Sequence, residues 1–306
     1  MTCAVKDIQL KINTQQDVLL IDLSYYIFYR YHAFVNWYQL AKEIKLTNDN
    51  VEEEFTKPET IEHFKKLCLN KIEELRGKKK DKITDNYNIY LLKDCKRSEI
   101  WRNDIVNNYK EGRTQKLFVK TLFAEGINEV LTNSGYQVIS QSTLEADDLA
   151  YISVKNLKEN KILNFNKNIK IITDDSDYIQ LLNFDKIQLI NLKKKDLSER
   201  LKDKTPQQFL IYKIIVGDKS DNIEGIFEGL SKTQIISAQL KNELKNIKSR
   251  AKFIDEISTN QQLFENKIKN NKETHIYERY IHNKKLIDFT EIPKKFHNIV
   301  KYEKIN

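Results

Sequence analysis

The carboxylates of this chain fall into short clusters with the spacing of a metal site. Glu145, Asp147 and Asp148 lie in "STLEADDLAYI", Asp175 and Asp177 in "TDDSDYIQL", and Asp218 and Asp221 in "VGDKSDNIEG". Asp22 and Asp94 each close an apolar run, "DVLLID" and "NYNIYLLKD". Gathered at one place, such groups repel by several kcal/mol per close pair even at an effective dielectric of ~20, so only bound cations make the cluster tolerable. A donor set made of oxygen alone selects Mg²⁺ or Mn²⁺ over zinc. Two such ions about 3.5–4 Å apart form the clamp used in phosphodiester hydrolysis. Taken singly, an Asp or Glu at a helix start is as well read as an N-cap or dipole partner, and Asp148 and Asp22 both admit that reading. The set as a whole is what points to metal chemistry. The histidines (His32, His63, His275, His282 and His297) are scattered through helical patterns and read as structural. There is no Gly-x-Ser-x-Gly elbow, so serine hydrolysis finds no support, and no Walker-type glycine loop, which excludes P-loop nucleotide chemistry.

The elements that must position these groups alternate strand and helix. Residues 17–22, 86–94, 136–140 and 168–174 are short apolar runs and read as strands. From Ser24 a long aromatic-rich stretch reads as a helix. "TIEHFKKLCLNKIEELR" carries Ile61, Phe64, Leu67, Cys68, Ile72 and Leu75 on one helical face. Strands separated by helices imply right-handed crossovers and a three-layer α/β fold with a mostly parallel central sheet. In such sheets ligands bind outside the carboxyl ends of the strands, where the aspartates fall. The expected division is an α/β core over residues 1–204 and a helical subdomain over 205–306 packed on it. The runs "RGKKKDK" and "NLKKKDLSERLKDK" read as solvated loops.

The totals are consistent with a polyanion partner. The chain has 306 residues, 40% hydrophobic and 31% charged, with a net charge of +8. That balance favours nucleic acid, although lysine-rich, proline-poor composition is also what an AT-rich genome produces. No segment approaches the ~18 apolar residues of a membrane span, and the amino terminus lacks the basic-then-apolar pattern of a secretory signal. Cys3, Cys68 and Cys95 are far apart without a Cys-x-x-Cys pair, which argues for a reducing compartment. An intracellular place is expected, cytoplasm or nucleus, including that of a virus-infected host.

With these residues in view, the chain resembles the 5′-nuclease (flap endonuclease) superfamily, and within it the phage-type ribonuclease H, a 5′-3′ exonuclease. "LIDLS", "KDCKRSEIWRND", "NNYKEGR", "LEADDLA", "TDDSDYIQL" and "VGDKSDNIEG" stand in the family's order, and "YERYIHNKKLIDFTEIP" is similar to its closing segment. The resemblance implies that Asp22, Asp94, Glu145 and Asp147 surround a first Mg²⁺, and Asp175, Asp177, Asp218 and Asp221 a second, with Asp147 or Asp148 near both. Mn²⁺ would substitute. Asp174 has no counterpart. Lys110 and Arg113 match the basic pair over the scissile phosphate, where developing charge needs preorganised cations. Tyr109 is placed to stack on a base or to pack in a core, and Arg102 to touch a phosphate or to form an ion pair.

Residues 101–134 correspond to the family's arch, for which we expect a mobile first half and a packed helix in the second. From Gly217 the chain resembles a helix–hairpin–helix element that grips duplex DNA through a K⁺ ion. Here Glu228 and Leu230 stand where glycines are usual, and Leu230 resists close backbone approach. That puts K⁺ in question and moves the expected duplex contacts to Lys219, Lys232, Thr233 and the helix terminus. The resemblance implies a monomeric enzyme acting on branched or flapped DNA and RNA–DNA hybrids beside replication proteins. The alternatives are a non-catalytic nucleic-acid scaffold of the same fold, a phosphatase, which would carry a second aspartate at the first strand, and a shorter PIN-type ribonuclease.

Overall fold

The computed structural model describes residues 5–75, 87–112, 116–164, 166–202, 204–226 and 274–305. Strands β1 (Ile8–Asn13), β2 (Asp17–Asp22), β3 (Tyr87–Lys93), β4 (Gln137–Ser140), β5 (Ile169–Ile172), β6 (Ile187–Ile190) and β7 (Val300–Ile305) alternate with helices in the main. The helices are α1 (Leu23–Lys42), α2 (Val51–Phe55), α3 (Pro58–Glu74), α4 (Lys120–Asn133), α5 (Ala146–Glu159), α6 (Pro206–Val216) and α7 (Thr274–Ile287). The five-stranded sheet has the order β4-β3-β2-β5-β6, and every pairing in it is parallel.

Both faces of this sheet are covered, and β2 shows how. Val18 and Leu20 enter one apolar cluster together with α5 and the carboxyl-terminal Phe289 and Phe296. Leu19 and Ile21 enter the other with α1, α3 and α4. A strand buried on both faces reads as an unbroken apolar run, which is why "DVLLID" is visible in the sequence. The chain runs outward from β2 through β3 to β4, then returns to β2's other side as β5. The reversal lies between β2 and β5, and a crevice at the carboxyl ends opens at such a switch point.

β6 and the separate parallel pair of β1 with β7 are not among the expected strands. Among the described residues after 204, α6 and α7 share a third cluster with Ile100 and Tyr109, and Phe289, Ile292, Phe296, Ile299 and Val300 pack into the sheet core. The expected helix of the arch is α4. The described part of the first half includes one packed segment. Trp101–Asp104 forms a 3-10 turn with Trp101 and Arg102 buried, because an internal carboxylate holds both side chains. Among the described residues no helix is long and apolar enough to cross a membrane.

Candidate active site

The carboxyl edge of the sheet collects the acidic groups, each through a local device. Asp22 ends β2 and caps α1, its Oδ1 accepting the Tyr25 N–H at 3.0 Å. Its Oδ2 accepts Tyr178 Oη at 3.1 Å and Thr173 Oγ1 at 3.3 Å. Asp94 follows β3 and accepts the Ala146 N–H at 2.8 Å. Glu145 caps α5 in a reciprocal capping box with Asp148. Asp175 follows β5 and accepts the Asp177 N–H at 2.9 Å. Beyond α6, "GDKSDN" folds into a tight turn in which Asp218 and Ile223 exchange backbone hydrogen bonds at 2.8 and 2.9 Å. Gly217 is required there, because its φ is +76° and a Cβ would stand 2.4 Å from the Ile223 carbonyl oxygen.

Two compact groups result, Glu145 with Asp147 and Asp148, and Asp177 with Asp218 and Asp221. Within each, carboxylate oxygens lie within 4.8 Å of one another, close enough to share a metal ion. The "YKEG" and "GDKSDN" segments are fastened together at this edge. Lys110 N–H donates to the Asp221 carbonyl at 3.1 Å, and Asn222 Nδ2 donates to the carbonyls of Asn108 and Glu111, each at 2.9 Å.

The carboxylates divide by whether a cation already meets them. Arg102 is 1% exposed and spans Asp148 (2.8 Å) and Glu145 (3.0 Å), with Nε donating to the Leu286 carbonyl at 2.8 Å. Lys110 Nζ lies 2.5 Å from Glu145 and 3.6 Å from Asp221. Lys213 contacts Asp177 and lies 3.0 Å from Asp218. Among the described residues, Asp22, Asp94, Asp147 and Asp175 have no such partner. Unpaired charge in a buried place is costly, and proton affinity records it. Burial, then Asp94, pushes the Asp22 carboxyl up to about 7. Burial raises Asp94 as well, and burial with Asp148 and Glu145 raises Asp147. Asp177 rises to about 6 through burial and Asp175, against the pull of Lys213. Burial also opposes ionisation of Glu145, yet Lys110 and Arg102 outweigh it and hold that carboxyl low. A set of oxygen donors that lacks only positive charge fits hard divalent cations.

This has a consequence for the metal-free protein. A carboxyl raised from 3.8 to about 7 in the fold stabilises the native state at pH below ~4, and that contribution is lost as pH rises through ~7. Lys110 and Lys213 are raised by their carboxylates despite burial and titrate above this window, while Glu145 and Asp218, both lowered, titrate below it. The melting temperature in a chelating buffer is therefore expected to fall from pH 5 to pH 8. Added divalent cation should restore more of it at pH 8 than at pH 5, since metal and proton compete for the same oxygens. Thermal melts across that range test this, and a melting temperature that rises with pH contradicts it.

Several expectations change. Asp148, named above with the metal carboxylates, stays in the first of the two groups, but both its oxygens are also engaged, by the Arg102 guanidinium, by Trp101 Nε1 at 3.0 Å and by the Glu145 N–H at 3.1 Å. It holds Arg102. Arg102 is no phosphate contact, since no face of it reaches solvent. Tyr109 is 5% exposed with its hydroxyl on Asp221 Oδ2 at 3.1 Å, so it packs rather than stacks on a base. Asp174 pairs with Arg200 at 2.6 Å, outside the cluster. Lys219 is exposed beside Asp218. Arg113, Lys232, Thr233 and the proposed K⁺ hairpin lie outside the described residues. Lys213 was not anticipated; its signal is a lone lysine in the last turn of the helix preceding "GD".

Comparison with known proteins bears on this arrangement. The model of a 5′-3′ exonuclease N-terminal resolvase-like domain matches residues 17–209. The 5′-3′ exonuclease of Buchnera aphidicola subsp. Schizaphis graminum is 27% identical over 176 residues, 54% of this chain and 58% of that protein, less than two thirds of its length. The 5′-3′ exonuclease of Buchnera aphidicola subsp. Acyrthosiphon pisum is 25% identical over 267 residues, 84% of this chain and 82% of that protein. Among solved structures, the T5 D15 protein co-crystallised with metal ions aligns over 90% of both chains with a TM-score of 0.55 at 17% identity. That likeness shows the fold.

Proposed function

The chain belongs to the family of the 5′-3′ exonuclease N-terminal resolvase-like domain, and on that premise we propose that it is a structure-specific, metal-dependent 5′-nuclease. It hydrolyses phosphodiesters at 5′ flaps and RNA primers in replication or repair, leaving 5′-phosphates. The observation that carries this reading is the group of carboxylates with no ion-pair partner among the described residues, Asp22, Asp94, Asp147 and Asp175, set among others that Lys110, Arg102 and Lys213 already neutralise.

Asp22, Asp94, Glu145 and Asp147 would hold one Mg²⁺, and Asp175, Asp177, Asp218 and Asp221 another, with Mn²⁺ able to substitute. Bound there, the ions supply an activated water and a Lewis acid for the leaving oxygen. The protein's own groups orient and neutralise. Arg102 fixes the Glu145 carboxylate from behind. Lys110 and Lys213 keep their protons and would meet phosphoryl oxygens as charge develops. The network over Tyr109, Asp221 and Asn222 holds Lys110 at that edge.

The test is cleavage of 5′-labelled flap, nicked, hybrid and single-stranded substrates by the purified chain in Mg²⁺ and in chelator. Metal-dependent cleavage directed by the 5′ end is expected. Absence of cleavage on every substrate, with binding retained, would favour a non-catalytic scaffold. Lys110→Ala is expected to lower kcat by about 10²–10³-fold, the size of one lost preorganised donor, while changing affinity by no more than severalfold. Equal losses in rate and affinity would count against its action on the phosphoryl group.

A further inference from the structure

The lysines of "NLKKKD", which read as a solvated run in the sequence, stand on a shaped support. Asn191 follows β6, is buried, and organises the turn. Its N–H donates to the Lys195 carbonyl at 3.0 Å, its carbonyl accepts the Lys194 N–H at 2.8 Å, and its Oδ1 accepts the N–H groups of Lys193 (2.9 Å) and Lys195 (3.0 Å). An antiparallel bridge between Ile190 and Asp196 closes the base. Lys194 takes φ +62°, a conformation uncommon for a residue with a side chain, which the surrounding hydrogen bonds hold in place.

The support is tied to the flank of the carboxylate site. Asn191 Nδ2 donates to Asp174 Oδ1 at 3.1 Å, next to Asp175. The Leu192 N–H donates to Tyr25 Oη at 3.0 Å, and Tyr25 is the residue whose N–H meets Asp22. The turn thus sits at the carboxyl edge of the sheet, where β6 ends. Lys193, Lys194 and Lys195 are all exposed, and among the described residues none has a carboxylate within ion-pair distance. The nearby acids are committed, Asp174 to Arg200 and Asp196 to the Ser198 N–H at 2.8 Å.

We propose that the Lys193–Lys195 turn is a phosphate-binding subsite that takes the backbone of the nucleic-acid substrate beside the carboxylate cluster. A strand carries a charge every ~3.4 Å along its axis, so one seated on the carboxylates runs past a tied, unpaired group of ammonium ions. Their common backbone is already ordered, so docking a phosphate there costs less ordering than it would on a loose loop. This rests on the nuclease reading and adds to it a place outside the metal carboxylates.

The experiment uses the full chain and a fluorescent flap duplex in Ca²⁺, with affinity read by anisotropy over a salt series. Replacing Lys193, Lys194 and Lys195 together by Ala is expected to weaken binding about 10- to 100-fold near physiological salt. The slope of log K against log[salt] should become shallower by about 2–3, at about 0.9 for each phosphate no longer neutralised. The Arg triple variant should keep parental affinity and slope. Lys11→Ala, Lys301→Ala and Lys304→Ala together make the same change in net charge on β1 and β7, away from the site, and should alter binding far less. In Mg²⁺ cleavage, the Ala triple should raise KM with kcat within about twofold. Parental binding and slope in the Ala triple overturn the subsite alone and leave these lysines to solvent or to an acidic protein. Equal weakening by the β1/β7 control also overturns it, in favour of general charge. A parent chain that neither binds nor cleaves overturns the nuclease reading together with the subsite.

Discussion

Asp175→Ala is expected to remove cleavage by about 10³-fold or more while leaving the metal-free fold nearly as stable as the parent. The rate loss corresponds to about 4 kcal/mol of barrier, the scale of charge stabilisation that one metal supplies. The stability forecast follows from the surroundings. Asp175 is exposed, makes no ion pair among the described residues, and its charge raises the carboxyls of Asp22 and Asp177. Removing it takes away the cap on the Asp177 N–H, worth about 1 kcal/mol, and relieves repulsion of similar size. The rise in melting temperature on adding Mg²⁺ should shrink in the variant. Its neighbour gives the contrast: Asp174→Ala breaks an exposed pair with Arg200, worth at most about 1 kcal/mol, and kcat should stay within severalfold. Single-turnover cleavage and thermal melts check both. Activity of Asp175→Ala within severalfold of the parent would sink the two-metal reading.

The second large effect is on the fold. Arg102→Met leaves Asp148 and Glu145 buried without their cation and deprives the Leu286 carbonyl of its donor. Breaking a buried pair from one side costs about 3–5 kcal/mol, a fall in melting temperature on the order of 10 °C for a chain of this size. Adding Asp148→Leu removes the worst of the stranded charge, and replacing both members of a buried pair by apolar groups is often nearly neutral. The double variant should still recover only about half. Asp148 also accepts from Trp101 Nε1 and the Glu145 N–H, and those donors become orphans costing about 1–3 kcal/mol each. Activity should not return in either variant. With Arg102 gone, the Glu145 carboxyl rises, so any residual rate should need higher pH. Additive effects of the two substitutions on stability would refute the coupling.

The contrast between Asp175 and Arg102 also shows what a sequence can carry. β2, β3 and β5 are legible because a strand covered on both faces is an apolar run, and each has an acidic residue at its end or within two positions beyond it. The carboxylates are legible for the same reason: a strand end fixes where Asp22 and Asp94 must lie. β1 alternates apolar and polar residues throughout Ile8–Asn13, the pattern of a half-buried strand, but β7 alternates less cleanly, and the partner that makes each a strand lies at the far end of the chain. Arg102 could have met a phosphate or a carboxylate, and the choice is made by burial against Asp148 from α5, a pairing no local pattern encodes. Lys213 is hidden likewise: helical spacing puts it one turn before Gly217, but that it faces Asp177 as well as Asp218 depends on how α6 packs beside the turn after β5. The lysine run was legible as charge and not as shape, because shape came from the buried Asn191 side chain.

The hydrogen bond from Arg102 to the Leu286 carbonyl bears on the order in which the protein can mature on the ribosome. Synthesis adds about 5–20 residues per second, and every proposed metal carboxylate is made well before Leu286. Until α7 arrives, the guanidinium that steadies Glu145 lacks one of its acceptors. Gln180 waits as well, for the backbone of Ile287 and Phe289, and β1 waits for β7. A nascent chain therefore carries a complete set of acidic groups in an unfinished frame.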